Sequence, residues 1–139
     1  MNAIEFIKIF LYSGILSILC VSCYYDIKHR KVSNRLTELL IISCIPLAIV
    51  LHYNIFIPLI LSGVIIIGYT LHALGGADLK ALPVLFFIVP DPLLFFGMCC
   101  VFGIIYVIIQ DGKSVSWKST IPAFVPITMA FINSIYSTI

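Results

Sequence analysis

The block LKALPVLFFIVPDPLLFFGMCCVFGIIYVII, residues 79–109, is almost wholly apolar, and the number of times it crosses a membrane decides the fold. As one helix it would be roughly 46 Å long, well beyond a hydrocarbon core of about 30 Å. It is short for two full spans. The break VPDPL at residues 89–93 resolves the choice, because Pro90 and Pro92 flank a charged Asp91 and favour a turn at the membrane surface over a helix interior. The block therefore reads as two spans, the first of them short, at residues 79–89.

Apolar blocks at residues 4–25, 36–51, 55–74 and 121–139 supply four more spans. The expected fold is an all-α integral membrane protein of six transmembrane helices with a short fourth span, a single membrane-embedded domain over residues 1–139. Composition agrees: 62% of the residues are hydrophobic, 10% are charged and the mean hydropathy is +1.19. A soluble domain carries about a quarter charged residues. The first block lacks a small-residue cleavage site and is followed by a basic loop, so it reads as a retained span rather than a signal peptide.

The eight basic residues test the topology independently. The breaks after the first, third and fifth spans hold Lys28, Arg30, Lys31 and Arg35, then Lys80, then Lys113 and Lys118, against Lys8 alone on the other side. Cytoplasmic loops concentrate Lys and Arg, so those three breaks face the cytoplasm and both termini lie outside. The net charge of +2 gives no footing for nucleic acid.

All five cysteines, Cys20, Cys23, Cys44, Cys99 and Cys100, fall inside apolar blocks, where free thiols pack as small apolar groups. Cys20 and Cys23 form a CxxC, but a structural zinc site takes about four ligands and no second pair has suitable spacing. Neither a metal nor a cofactor is expected.

Two of the four aspartates stand out by position. Asp26, in SCYYDIKHRKVSNRLT (residues 22–37), lies at the cytoplasmic end of the first span, and Asp78, in LHALGGADLKAL (residues 71–82), at the cytoplasmic start of the fourth. Ionisable residues within membrane segments are functional candidates. Two close carboxylates share a proton, so one acts as base on a water while the other acts as acid toward a carbonyl. Their titration belongs to the pair, and neither role is assigned to one residue. Gly75 and Gly76 leave room for an extended peptide to approach, and the same small residues also suit helix packing. The fourth span is short enough for Asp78 to lie below the headgroups in a thinned bilayer.

The residues reach a family here. GGADLKAL resembles the GxGD motif of the prepilin peptidase family of membrane aspartyl proteases. DIKHRKVSNRLT resembles that family's first motif, an aspartate followed by basic residues and then Ile-Pro-Asn, and IPAFVPITMAF, residues 121–131, resembles the Pro-rich opening of its last span. The resemblance implies a catalytic pair of Asp26 and Asp78 in an endopeptidase of the prokaryotic plasma membrane. Such an enzyme removes the short basic leader from pilin-like or archaellin-like precursors at the cytoplasmic face. It also implies proteolysis without the methylation carried out by larger members. Ala77 stands where the motif has its second glycine, and Ser33 where it has the proline before Asn34.

Arg30 and Asn34 match the first motif as supporting residues, although contact with anionic lipid explains the basic run equally well. Lys80 tunes the field near Asp78 or snorkels to the headgroups. Glu38 and His72 are within reach of the site by position. Precursor proteins and membrane lipids are the expected partners, and the sequence is silent on oligomeric state. Two other functions fit the same residues: a proton- or cation-coupled carrier binding through Asp26 and Asp78, against which stands the lack of an obvious inverted repeat, and an inactive pilus-assembly subunit.

Overall fold

A computed structural model describes residues 2–29, 32–51, 54–70, 76–110 and 123–136, with residues 76–78 and 110 described by backbone alone. All regular structure among them is helical: α1 (Ala3–His29), α2 (Asn34–Leu51), α3 (Phe56–Thr70), α4 (Gly76–Phe86), α5 (Pro92–Gln110) and α6 (Phe124–Tyr136). Three of these helices, α1, α2 and α5, are long and apolar enough to cross a membrane, while α3 and α6 are shorter apolar helices.

The helices pack in a ring, in the order α1, α2, α4, α3, α5, α6 and back to α1. On α1 the inward stripe is Tyr12, Ile15, Leu19, Ser22 and Asp26, spaced three and four apart as one helical face requires. Its outward face carries Phe6, Phe10, Val21 and Tyr24, all exposed. Large exposed apolar side chains recur on α2, α3 and α5, among them Ile42, Phe56, Ile60 and Ile109. An apolar surface on that scale suits lipid, where leaving it outside the core costs nothing.

The break in the apolar block falls where the sequence puts it, but the fourth helix is displaced from residues 79–89 to Gly76–Phe86. Its early end has a local cause. Pro90 steers the residue before it away from helical backbone, and the last turn tightens, Phe87 N–H donating to Val84 O at 3.2 Å and Ile88 N–H to Leu85 O at 3.1 Å. Ile88 and Val89 are nonetheless fully buried. A buried backbone carbonyl needs a partner, and Tyr12 Oη supplies one, donating to Ile88 O at 3.0 Å. Asp91 then caps α5: its Oδ1 accepts from the N–H groups of Leu93 and Leu94, both at 3.1 Å. Pro92 follows in the first helical position, where its missing N–H removes no bond.

The core is centred on α4 and the turn after it. Ala81, Leu85 and Phe86 are buried with Phe95 and Phe131, and the Phe86 ring meets Phe95 and Phe96 edge-on, each with centroids 6.0 Å apart. Asp78 lies in the first turn of this helix.

Candidate active site

The end of α1 is fastened to the start of α6. Ala123 O accepts the first intrahelical bond of α6, from Ile127 N–H at 3.2 Å, which leaves the N–H of Phe124 without a partner inside the helix. That N–H donates to Asp26 Oδ2 at 3.1 Å, from 98 residues away in the chain. Asp26 is 9% exposed. A buried carboxylate needs such donors, and the N-terminus of a helix supplies them together with a favourable dipole.

One turn below, the same two helices meet again. Thr128 Oγ1 donates to Phe124 O at 2.7 Å and lies 3.5 Å from Leu19 O of α1. Ser22, on the inward stripe four residues before Asp26, is 1% exposed. Thr128 lies inside IPAFVPITMAF and Ser22 opens the segment before Asp26, though neither is a carboxylate of the motifs; the spacing of Ser22 to Asp26 is the signal that marks it.

The start of α2 carries the rest of the first motif. Ser33 caps this helix, its O accepting from Leu36 N–H at 3.1 Å and its Oγ lying 3.4 Å from the same nitrogen. The serine in the proline position thus provides a cap that proline has no side-chain oxygen to make. Asn34 begins the helix, and its Oδ1 accepts from Lys80 Nζ at 3.3 Å, across 46 residues. This contact ties the first motif to the second. Both side chains are exposed.

The end of α1 and the starts of α2, α4 and α6 therefore gather at one end of the bundle. Asp26, Asn34 and Lys80 are brought to that end by the contacts to Phe124 and between Lys80 and Asn34. Gly76, Ala77 and Asp78 form the first turn of α4, two to four residues before Lys80, with their side chains outside the description; Gly75, Arg30 and His72 lie outside the described residues. Glu38 is exposed on α2. On the last turn of α1, Lys28 Nζ stands 5.6 Å over the Tyr24 ring, and the Tyr25 and His29 rings stack with centroids 5.8 Å apart. Among the described residues no three His, Cys, Asp or Glu side chains gather as a metal site.

A search of curated proteins and one of solved structures found no match. A family model, that of the type IV leader peptidase family, matches residues 13–135, which takes in both motif segments and α6. With apolar helices of spanning length and a match over most of its length, the chain is an integral membrane protein that belongs to the type IV leader peptidase family, a family of aspartic-type peptidases.

Proposed function

We propose that this protein is an endopeptidase that removes the short basic leader from type IV pilin-like or archaellin-like precursors at the cytoplasmic face of a prokaryotic plasma membrane, with Asp26 and Asp78 as its catalytic pair. The observation that carries the reading is the hydrogen bond from Lys80 Nζ to Asn34 Oδ1. Lys80 lies two residues beyond Asp78, and Asn34 lies eight beyond Asp26, so one contact links the segments that follow the two carboxylates.

In this reading the pair shares one proton. One carboxylate takes a proton from the attacking water while the other gives one to the scissile carbonyl oxygen, and the resulting tetrahedral intermediate collapses as the leaving nitrogen is protonated. The cap from Phe124 N–H fixes Asp26 so that little reorganisation is needed during the reaction. The chain crosses the membrane six times as one domain over residues 1–139, with α4 as the short span and both termini outside. Lys28, Arg35 and Lys80 stand at the cytoplasmic end. The precursor keeps its apolar helix in the bilayer and presents the bond just beyond it. Gly75, Gly76 and Ala77 leave space for that extended segment, and Arg30, Asn34 and Lys80 support it.

Purified protein in detergent, incubated with a peptide that joins a basic leader to an apolar helix and read by mass spectrometry, gives a single cut after the leader. Binding without a cut would instead indicate an inactive assembly subunit. Neither binding nor cleavage would leave the carrier in place.

A further inference from the structure

Ser22 is a buried hydroxyl on the inward face of α1, one turn before Asp26. Among the described residues its Oγ has no hydrogen-bond partner. Other serines in these apolar helices return their hydroxyl to their own backbone: Ser13 to Phe10 O, Ser17 to Ser13 O, Ser43 to Leu39 O and Ser62 to Pro58 O, at 2.7–2.8 Å. Ser22 is turned away from that arrangement, at 1% exposure.

Its surroundings follow from the register of α1 against α6. Phe124 meets Asp26, and Thr128, four residues on, meets Leu19 O. The helices run antiparallel here, so stepping four residues forward on α6 matches stepping about four back on α1, and Thr128 stands at the level of Ser22. Ser22 and Asp26 are themselves neighbours on one helix face, with Cβ atoms about 6 Å apart. Thr128 gives its single proton to Phe124 O at 2.7 Å but keeps the capacity to accept. Three polar groups thus lie along one buried seam: a hydroxyl with no partner among the described residues, a hydroxyl able to accept, and a carboxylate. That set matches the two to four partners a buried water takes.

We propose that Ser22 and Thr128 hold one buried water beneath Asp26, and that this water makes Ser22 a positioning residue for the Asp26 carboxylate. The inference rests on Asp26 belonging to the catalytic pair. The water donates to Asp26 and to Thr128 and accepts from Ser22. The hydrogen bond from Phe124 holds Oδ2, and the water adds a further donor to the same carboxylate. No bond to substrate is involved.

The test compares parent, Ser22→Ala, Thr128→Val, their double variant, Asp26→Asn, and Ser17→Ala, whose exposed hydroxyl bonds only within its own turn. Ser22→Ala should lower kcat by about 10- to 10²-fold, the scale of a misplaced catalytic group, with KM unchanged. Its thermal midpoint in detergent should fall only slightly, because the hydroxyl bonds a water and no protein group. Thr128→Val should lower kcat likewise, and the double variant should be no worse than the more damaged single one, since one water serves both. Ser17→Ala should match the parent. Parental kcat in Ser22→Ala, a loss that tracks a markedly lowered midpoint, or losses that multiply in the double variant would each overturn the proposal. If the parent cleaves and Asp26→Asn does not, these outcomes bear on Ser22 alone. Parental cleavage by Asp26→Asn would remove the underlying reading and the positioning role with it.

Discussion

Asp26 Oδ2 accepts the backbone N–H of Phe124 at 3.1 Å, so a side chain from the first helix caps the last one. The bond serves two purposes at once. It satisfies an N–H at the start of α6 that has no partner within its helix, and it holds a buried carboxylate in a fixed orientation. The two can be separated by substitution, because asparagine retains an acceptor oxygen while losing acid–base chemistry.

Asp26→Asn should therefore insert and unfold much like the parent, while Asp26→Ala, which abolishes the cap, should lose about 1 kcal/mol or somewhat more in equilibrium unfolding by SDS titration. In the cleavage assay Asp26→Asn or Asp78→Asn alone should lose at least about 10³-fold, with the double variant scarcely worse, because members of a catalytic unit fail together. A correctly inserted Asp78→Asn that removes the leader at a near-parental rate would sink the protease reading.

The bond between Lys80 and Asn34 is exposed and is expected to add little to stability. Its effect should appear in activity. Lys80→Met and Asn34→Leu should each slow cleavage, and a double-mutant cycle should give a coupling of about 0.5–1 kcal/mol in kcat/KM. Fully additive losses would show that the two residues act separately, and that α4 is registered against α2 by other contacts.

Tyr12 tests the buried turn at the other end of the bundle. Tyr12→Phe keeps the ring beside Phe131, 6.2 Å between centroids, and deletes the hydroxyl that donates to Ile88 O. Unfolding measurements should report a loss of about 1–3 kcal/mol, the cost of leaving a buried carbonyl without its partner. Cleavage by the folded fraction should be unaffected, because this contact lies far along α1 from Asp26. An unchanged unfolding midpoint would mean that the carbonyl has found another donor.

Asp91 gives a contrasting control. Its side chain caps α5 through Leu93 and Leu94, so Asp91→Asn should be close to neutral and Asp91→Ala should cost about 1 kcal/mol. Neither should alter cleavage per folded molecule. A large activity loss in Asp91→Asn would contradict the assignment of this aspartate to capping alone.

Ala77 occupies the position next to Asp78 in the first turn of α4. If the substrate backbone passes close by, Ala77→Gly should be tolerated, whereas Ala77→Val should impair cleavage through added bulk and a stiffer χ1. Equal rates for valine and alanine would show that close approach at this position is not required.

By itself the sequence determined the class of this protein: helical, membrane-embedded, broken at residues 89–93, and carrying motif segments around Asp26 and Asp78. These features rest on bulk hydropathy, on proline's fixed φ and on local residue order, all of which are properties of short stretches of chain. The sequence did not determine the bounds of α4, because Leu, Val, Phe and Ile are equally at home in a spanning helix and in a buried turn. It also could not separate the inner face of α1 from the outer one. In water, periodicity marks the core because the other face is polar; here Phe6 and Phe10 face outward and Ile15 and Leu19 face inward, and all are apolar. Only the packing of α6 against α1 decided that Ser22, Asp26 and Thr128 share one buried seam. Likewise, only the packing of α4 against α2 brought Lys80 to Asn34. Such pairings join residues 46 to 109 positions apart in the chain, and they depend on how helices with nearly uniform surfaces interlock.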